Sequence, residues 1–271
     1  MSNELEAFLE YIQVTKALSK KSVEAYKSDL LQIETLTKKP LIALDTNATL
    51  QALSLYENKR TLNRKLSAIN AFFTFCFRSE FVAEQQKLKL AKIPKNLPKF
   101  LTYKQIQEGV QSIDQSEWLG QRDVALIIFL YATGMRISEC LAMRLEDIEG
   151  AWLRVRHGKG DKERLIPIAK EALHLLQAYL NSQPFENEQI WLNYMGKPLS
   201  RISAFKITQK YLGVSPHVLR HSYATALILG GADLRVVQEL LGHASLLTTQ
   251  VYTHIQKQNL QETVLRHHPM A

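Results

Sequence analysis

Cysteine is nearly absent: the 271 residues contain two, Cys76 and Cys140, in no spacing that could hold a metal. Both sit in apolar helical stretches and are expected as small core residues of a protein kept in a reducing compartment. Long apolar runs are missing as well. The longest, Val124 to Ala132, has nine residues, about half of what a bilayer-crossing helix needs. The opening residues MSNELEAFLE are acidic and have no basic stretch before an apolar core, so no secretory leader is expected. Neither a repeat nor a low-complexity segment occurs. These absences predict a cytoplasmic protein without membrane association.

What is present is a normal globular composition, 46% hydrophobic, with enough chain for one large domain or two ordinary ones. The net charge of +8 and pI near 9.3 favour a polyanionic partner without naming it. Residues 1–95 hold 15 Lys/Arg against 10 Asp/Glu, and the remaining 176 hold 19 against 16. The N-terminal part is therefore the more basic per residue, which suits either a surface that faces a polyanion or an ordinary solvated helical surface.

Apolar periodicity divides the chain. Leu5, Phe8, Leu9 and Ile12 mark one helical stripe, and Val23, Tyr26, Leu30 and Ile33 a second. A short helix should follow Asp45, and a fourth should run from about Asn58 through Leu62, Leu66, Ile69, Phe73 and Phe77. The spacing thus predicts a four-helix domain over 1–86. The run KLKLAKIPKNLPKFLT, with two prolines and five lysines, reads as a linker over 87–101. From 102 to 271 a mainly helical domain with a small sheet is expected, the sheet at 151–168 and further helices near 170–182 and 200–212. An amphipathic stretch, IQKQNLQETVLRHH, follows with Ile255, Leu260 and Val264 as its apolar points.

Chemistry-bearing residues concentrate in HVLRHSYATALILGGADLRVVQELLGHASLLTTQVYTH, His217 to His254. Ser215 and Pro216 pair an N-cap residue with a first-turn proline, and Gly230-Gly231 closes that helix. His217 and Arg220 then share one face of its first turn, where free N–H groups and the positive helix end favour an anion. Asp233 caps LRVVQELL, Gly242 stops it, and His243 follows at once. Ser245 can cap a further helix carrying Thr248, Thr249 and Tyr252. Upstream, in LYATGMRISECLAM, Gly134 ends an apolar helix and Arg136 opens the next. WLRVRHGKGDKERLIPI reads as a hairpin with Lys159 in its Gly158–Asp161 turn.

These segments resemble the tyrosine recombinase (phage integrase) family, most closely its Xer branch, over the whole chain. The family's arginine matches Arg136 in ATGMRISE and its hairpin lysine Lys159 in HGKGDKERLIPI. Its histidine and second arginine match His217 and Arg220 in HVLRHSYAT, its second histidine His243 in LLGH, and its nucleophile Tyr252 in TTQVYTH. The N-terminal part matches less well and is somewhat short. The resemblance implies a two-domain clamp, a helical SAM-like core-binding domain joined to an α/β catalytic domain. It implies strand exchange at double-stranded DNA recombination sites through a 3′-phosphotyrosyl link, with no metal, ATP or other cofactor. It also implies a homo- or hetero-tetramer formed by exchange of the C-terminal helix, a paralogous recombinase subunit and control by the cell-division DNA translocase.

Such chemistry needs non-bridging phosphate oxygens neutralised, an attacker deprotonated and a leaving oxygen protonated. Arg136 and Arg220 have the planar forks for the first task. His243 can add a hydrogen bond to the phosphoryl group, and Tyr252 is the attacker. His217 is the candidate acceptor of its proton and Lys159 the candidate donor to the 5′-oxygen. Plainer readings stand beside these. Tyr252 could be a core tyrosine, Arg136 a partner of Glu139, Arg220 a helix bridge, and Lys159 a turn lysine beside Lys162 and Arg164. Glu139 either supports Arg136 or is solvated. His217 and His221 have zinc-pair spacing, but no glutamate separates them and Arg220 repels a cation; His221 is expected to be structural. Asp123, Asp147 and Asp161 are too scattered for a two-metal nuclease. His267-His268 is expected as a solvated tail, in a region where the resembled proteins meet partners. Three further functions stay open: integration or excision of a mobile element, DNA relaxation by a monomeric type IB-like topoisomerase, and architectural DNA binding without catalysis.

Overall fold

A computed structural model of the chain describes residues 2–93, 99–156, 163–242 and 254–270. The chain divides into two compact units, residues 1–96 and 97–271. Among the described residues the first holds four α-helices: α1 (Asn3–Val14), α2 (Lys20–Thr37), α3 (Thr46–Leu53) and α4 (Lys59–Arg78). Each starts on a side-chain cap, Ser2, Ser19, Asp45 or Asn58, whose oxygen accepts a first-turn N–H. The α1 stripe is buried as its spacing predicts. On α4 the buried face is Leu66, Ile69, Phe72, Phe73 and Cys76, while Phe77 is exposed. Phe72 rather than Phe77 meets Phe8, edge to face with ring centroids 5.6 Å apart.

Residues 87–91, expected to be linker, belong to this unit. Asn70 accepts the Leu88 N–H at 2.8 Å and donates to its carbonyl at 2.9 Å. Asn63 does the same for Ala91, at 2.7 and 2.8 Å. The two asparagines act as strand partners for an extended segment and sink Leu88 into the helical core. The start of the expected linker, through Ala91, is therefore held by the helical unit, and residues 94–98 lie outside the described residues. One buried ionic cluster braces the unit. Lys65, 1% exposed, donates to Asp29 at 3.0 Å and to Gln32 at 2.6 Å and lies 5.0 Å over the Tyr56 ring. Arg64 also pairs with Asp29.

The second unit is built on α6 (Trp118–Thr133), preceded by α5 (Tyr103–Gln111). From Arg122 to Thr133 every α6 residue is buried, as a helix packed on several sides must be. After it come α7 (Ile137–Leu141), an antiparallel sheet in the order β1 (Ile148–Glu149), β2 (Trp152–Val155), β3 (Arg164–Pro167), then α8 (Lys170–Ser182) and α9 (Arg201–Leu212). The hairpin register pairs Trp152 with Pro167 and Val155 with Arg164. The unit ends with α10 (Pro216–Leu229), α11 (Leu234–Leu241) and α12 (His254–His267). Leu260 and Val264 of α12 sit in a small core with Tyr223 and Leu227 of α10 and Val237, Leu240 and Leu241 of α11. The expected C-terminal helix is thus present, and in the single chain it lies on its own domain. Among the described residues no helix is long and apolar enough to cross a membrane.

The His267-His268 pair is not the expected solvated tail: His267 is half-buried and His268 buried. His268 is 4% exposed, its ring between Tyr131 and Tyr223 at centroid distances of 4.9 and 5.1 Å. His267 Nδ1 donates to the Gly230 carbonyl at 2.6 Å, and Met270 is buried in the main core. Burial pushes the His268 imidazole down from 6.5 to about 4, so the docked tail requires the neutral ring. Below pH 6.5 a released tail takes up a proton that a docked one refuses until about pH 4. Docking therefore weakens as pH falls through that window, by roughly 3 kcal/mol at its lower end, and gains nothing above it. Amide exchange of residues 264–270, corrected for intrinsic pH dependence, should lose protection from pH 7 to 5; constant protection would refute this.

Candidate active site

Chain direction and two glycines place the site. Gly134 ends α6 at φ +59°, and a Cβ there would stand 2.3 Å from the Tyr223 ring. The reversal makes Arg136 the N-cap of α7. Glu139 accepts the Arg136 backbone N–H at 2.9 Å and its Nη1 at 2.8 Å. Arg164, the first residue of β3, closes on the same carboxylate through Nη1 at 3.2 Å and Nη2 at 2.7 Å. Burial alone would raise the Glu139 carboxyl, but Arg164 first and Arg136 second outweigh it and hold it below its ordinary value.

The second feature is the end of α11. Gly242, at φ +65°, stops the helix. Carbonyls left without helical partners carry the negative end of the macrodipole. Three consecutive ones are each met by a guanidinium: Leu240 by Arg164 Nε at 3.1 Å, Leu241 by Arg220 Nη2 at 2.6 Å, and Gly242 by Arg136 Nη2 at 3.4 Å. Arg220 also donates from Nη1 to the Gly134 carbonyl at 2.7 Å. Burial, then the charges of Arg136 and Arg164, push Arg220 down to about 10, which still leaves it protonated at neutral pH. Among the described residues Glu139 is the carboxylate that pairs with this cluster. The balance is positive, and the Arg136 side chain is 27% exposed. A partly open, guanidinium-lined position of this kind suits a phosphate.

Of the six positions singled out in the sequence, the structure brings Arg136 and Arg220 together on adjacent carbonyls. His217 lies exposed on the first turn of α10, one turn before Arg220. Lys159, His243 and Tyr252 lie outside the described residues, as do the hairpin turn and Ser245. His221, expected to be structural, is exposed. Among the described residues no cluster of three metal-ligating side chains occurs. Asp123 pairs with Arg122 at 2.6 Å and Asp147 with Arg156 at 2.5 Å. By its charge and its place in GKGDKER, Arg164 reads only as a neighbour of Lys159. Its signal was available: in KERLIPI, alternation places Arg164 on the same face as Ile166 and Ile168, the buried one.

The Phage integrase family model matches residues 99–259, and the model of the phage integrase N-terminal SAM-like domain matches 5–80. The chain belongs to the phage integrase family. It is a tyrosine recombinase of the Xer type, an enzyme that breaks and rejoins DNA strands in site-specific recombination. Tyrosine recombinase XerC of Bacillus subtilis is 36% identical, over 100% of this chain and 98% of the relative. Tyrosine recombinase XerD of Listeria innocua is 34% identical over 100% of both chains. The pre-cleavage complex of the XerH site-specific recombinase bound to difH substrate is 27% identical, with a TM-score of 0.65 over 95% of this chain and 82% of that one. The arginine cluster of this recombinase therefore lies within the part matched by the Phage integrase model, and the Asp29–Lys65 cluster within the part matched by the SAM-like one.

Proposed function

We propose that Arg136, Lys159, His217, Arg220, His243 and Tyr252 form the strand-cleaving site, acting on a phosphodiester of double-stranded DNA. The observation that carries this is the pairing of Arg136 and Arg220 on adjacent carbonyls of α11 with one carboxylate for three guanidiniums. The two forks bind the non-bridging oxygens, and His243 donates a further hydrogen bond to them. The Tyr252 hydroxyl, with a free pKa of about 10, becomes a competent nucleophile beside these cations, and His217 accepts its proton. The new bond joins the tyrosine oxygen to phosphorus, and the bond to the 5′-oxygen breaks as Lys159 protonates it. The 3′-phosphotyrosyl link keeps the bond energy, so a second 5′-hydroxyl can reverse the step on another strand without ATP or a metal.

The test uses nicked duplexes carrying a site selected by binding from random DNA, incubated with the full chain in EDTA without ATP. A covalent adduct is expected, and digestion should place the phosphotyrosine on the peptide containing Tyr252. An adduct on another residue, or none on DNA that the protein binds, would sink the assignment.

In the cell we place this activity in the cytoplasm, in a homo- or hetero-tetramer that pairs two DNA sites and resolves chromosome or plasmid dimers. A paralogous recombinase subunit and the cell-division DNA translocase are its proposed partners, linking it to chromosome segregation. Exchange of α12 would form the tetramer: the contacts of Leu260 and Val264 with α10 and α11 can be made on a neighbour's surface as well as on the chain's own. Integration or excision of a mobile element would use the same chemistry. Recombination at full extent with neither partner present would remove both from the scheme.

A further inference from the structure

Arg164 lies where the candidate groups of the site are tied together. Its side chain is 5% exposed. All three nitrogens are engaged: Nε with the Leu240 carbonyl at 3.1 Å, and Nη1 and Nη2 with the two oxygens of Glu139 at 3.2 and 2.7 Å. Glu139 in turn holds both the backbone and the side chain of Arg136. A Cβ built on Gly242 would come within 3.1 Å of Arg164 Cδ and Nη1, so the side chain also lies close against the Gly242 backbone. Strand β3, which Arg164 opens, pairs antiparallel with β2, and Lys159 lies between the two in the sequence.

We infer that Arg164 is a positioning residue for strand cleavage, setting Arg136 through Glu139 and the end of α11 through the Leu240 carbonyl. This inference rests on the site proposed above. Stability alone does not account for the residue. A buried cation costs desolvation, and this one is set beside two further guanidiniums that repel it, where an apolar side chain of similar volume would be cheaper. Lysine cannot replace it, because a single ammonium cannot serve a two-oxygen fork and a third acceptor in one plane.

The experiment measures Arg164→Lys, Glu139→Gln and the double variant as full chains on the nicked duplex, recording single-turnover adduct rate and duplex affinity separately. Arg164→Lys should slow cleavage about a hundredfold, the scale of a misplaced reacting group, with affinity changed by less than about threefold. The double variant should be no slower than the worse single one, because both changes cut the same chain of contacts. Cleavage within about threefold of wild type, a parallel fall in affinity, or losses that multiply in the double variant would each overturn the inference. Thermal unfolding checks each fold; should Arg164→Lys not fold, Arg164→Gln is measured in its place with the same expectation. Absence of an adduct with the wild-type chain would overturn the site reading and this inference together. An adduct with wild type and an unimpaired variant would overturn the inference alone.

Discussion

Arg220→Ala should form the covalent DNA adduct about a thousandfold more slowly than the wild-type chain, the scale of losing a preorganised donor to developing phosphoryl charge. Two losses combine in that figure. One guanidinium fork is lost from the phosphate that it is proposed to grip, and the Gly134 and Leu241 carbonyls lose the donor that bridges the turn before Arg136 and the end of α11. Arg220→Lys should recover little, because an ammonium on a flexible stem cannot span both carbonyls and still face a phosphate. Duplex affinity should fall much less than cleavage, since it is shared among many backbone contacts. Single-turnover rates at saturating protein separate the two, with Tyr252→Phe, which removes the proposed nucleophile, as the expected zero. An Arg220→Ala rate within about tenfold of wild type would mean that the fork does not grip the reacting phosphate.

Asp29→Ala should destabilise the N-terminal unit by about 3 kcal/mol or more, the cost of leaving a buried cation without its counter-ion. Lys65 would keep only the Gln32 oxygen and the Tyr56 ring, both neutral, with its ammonium still out of water. The three tryptophans, Trp118, Trp152 and Trp191, all belong to the second unit. In urea, the variant's helical circular dichroism should therefore begin to fall at lower denaturant while tryptophan fluorescence keeps its wild-type transition. Coincident shifts in both signals would show that the two units unfold as one, and no shift would show that the pair is neutral.

Much of this molecule was legible because its signals are local. Stripes at helical spacing, Ser, Asp and Asn caps, and Gly134 and Gly242 as stops each act within a few residues. They gave the helices of both units and brought Arg136 and Arg220 to helix ends. Failures came where long-range contacts decide. Asn63 and Asn70 hold the extended segment through Ala91 by side-chain hydrogen bonds, which have no period to detect. His268 reads as a polar tail residue until Tyr131 and Tyr223, far apart in sequence, enclose it. Phe77 satisfies a four-residue count from Phe73, yet α4 turns that position outward and buries Phe72 and Cys76 instead. Arg164 was passed over because charge outweighed strand alternation; partnered with Glu139, a cation can occupy the inward face.

The three arginines come from α7, β3 and α10, yet all read their positions from one stretch of backbone, Leu240 to Gly242. An insertion or deletion of one residue in α11 would turn that stretch by about 100° and shift it by about 1.5 Å. Each carbonyl would leave its guanidinium at the same moment. The number of residues between Asp233 and Gly242 is therefore constrained as firmly as any side chain in the cluster. Arg235 and Gln238 on the outer face of α11 are exposed, whereas the length of α11 sets where all three guanidiniums find their acceptors.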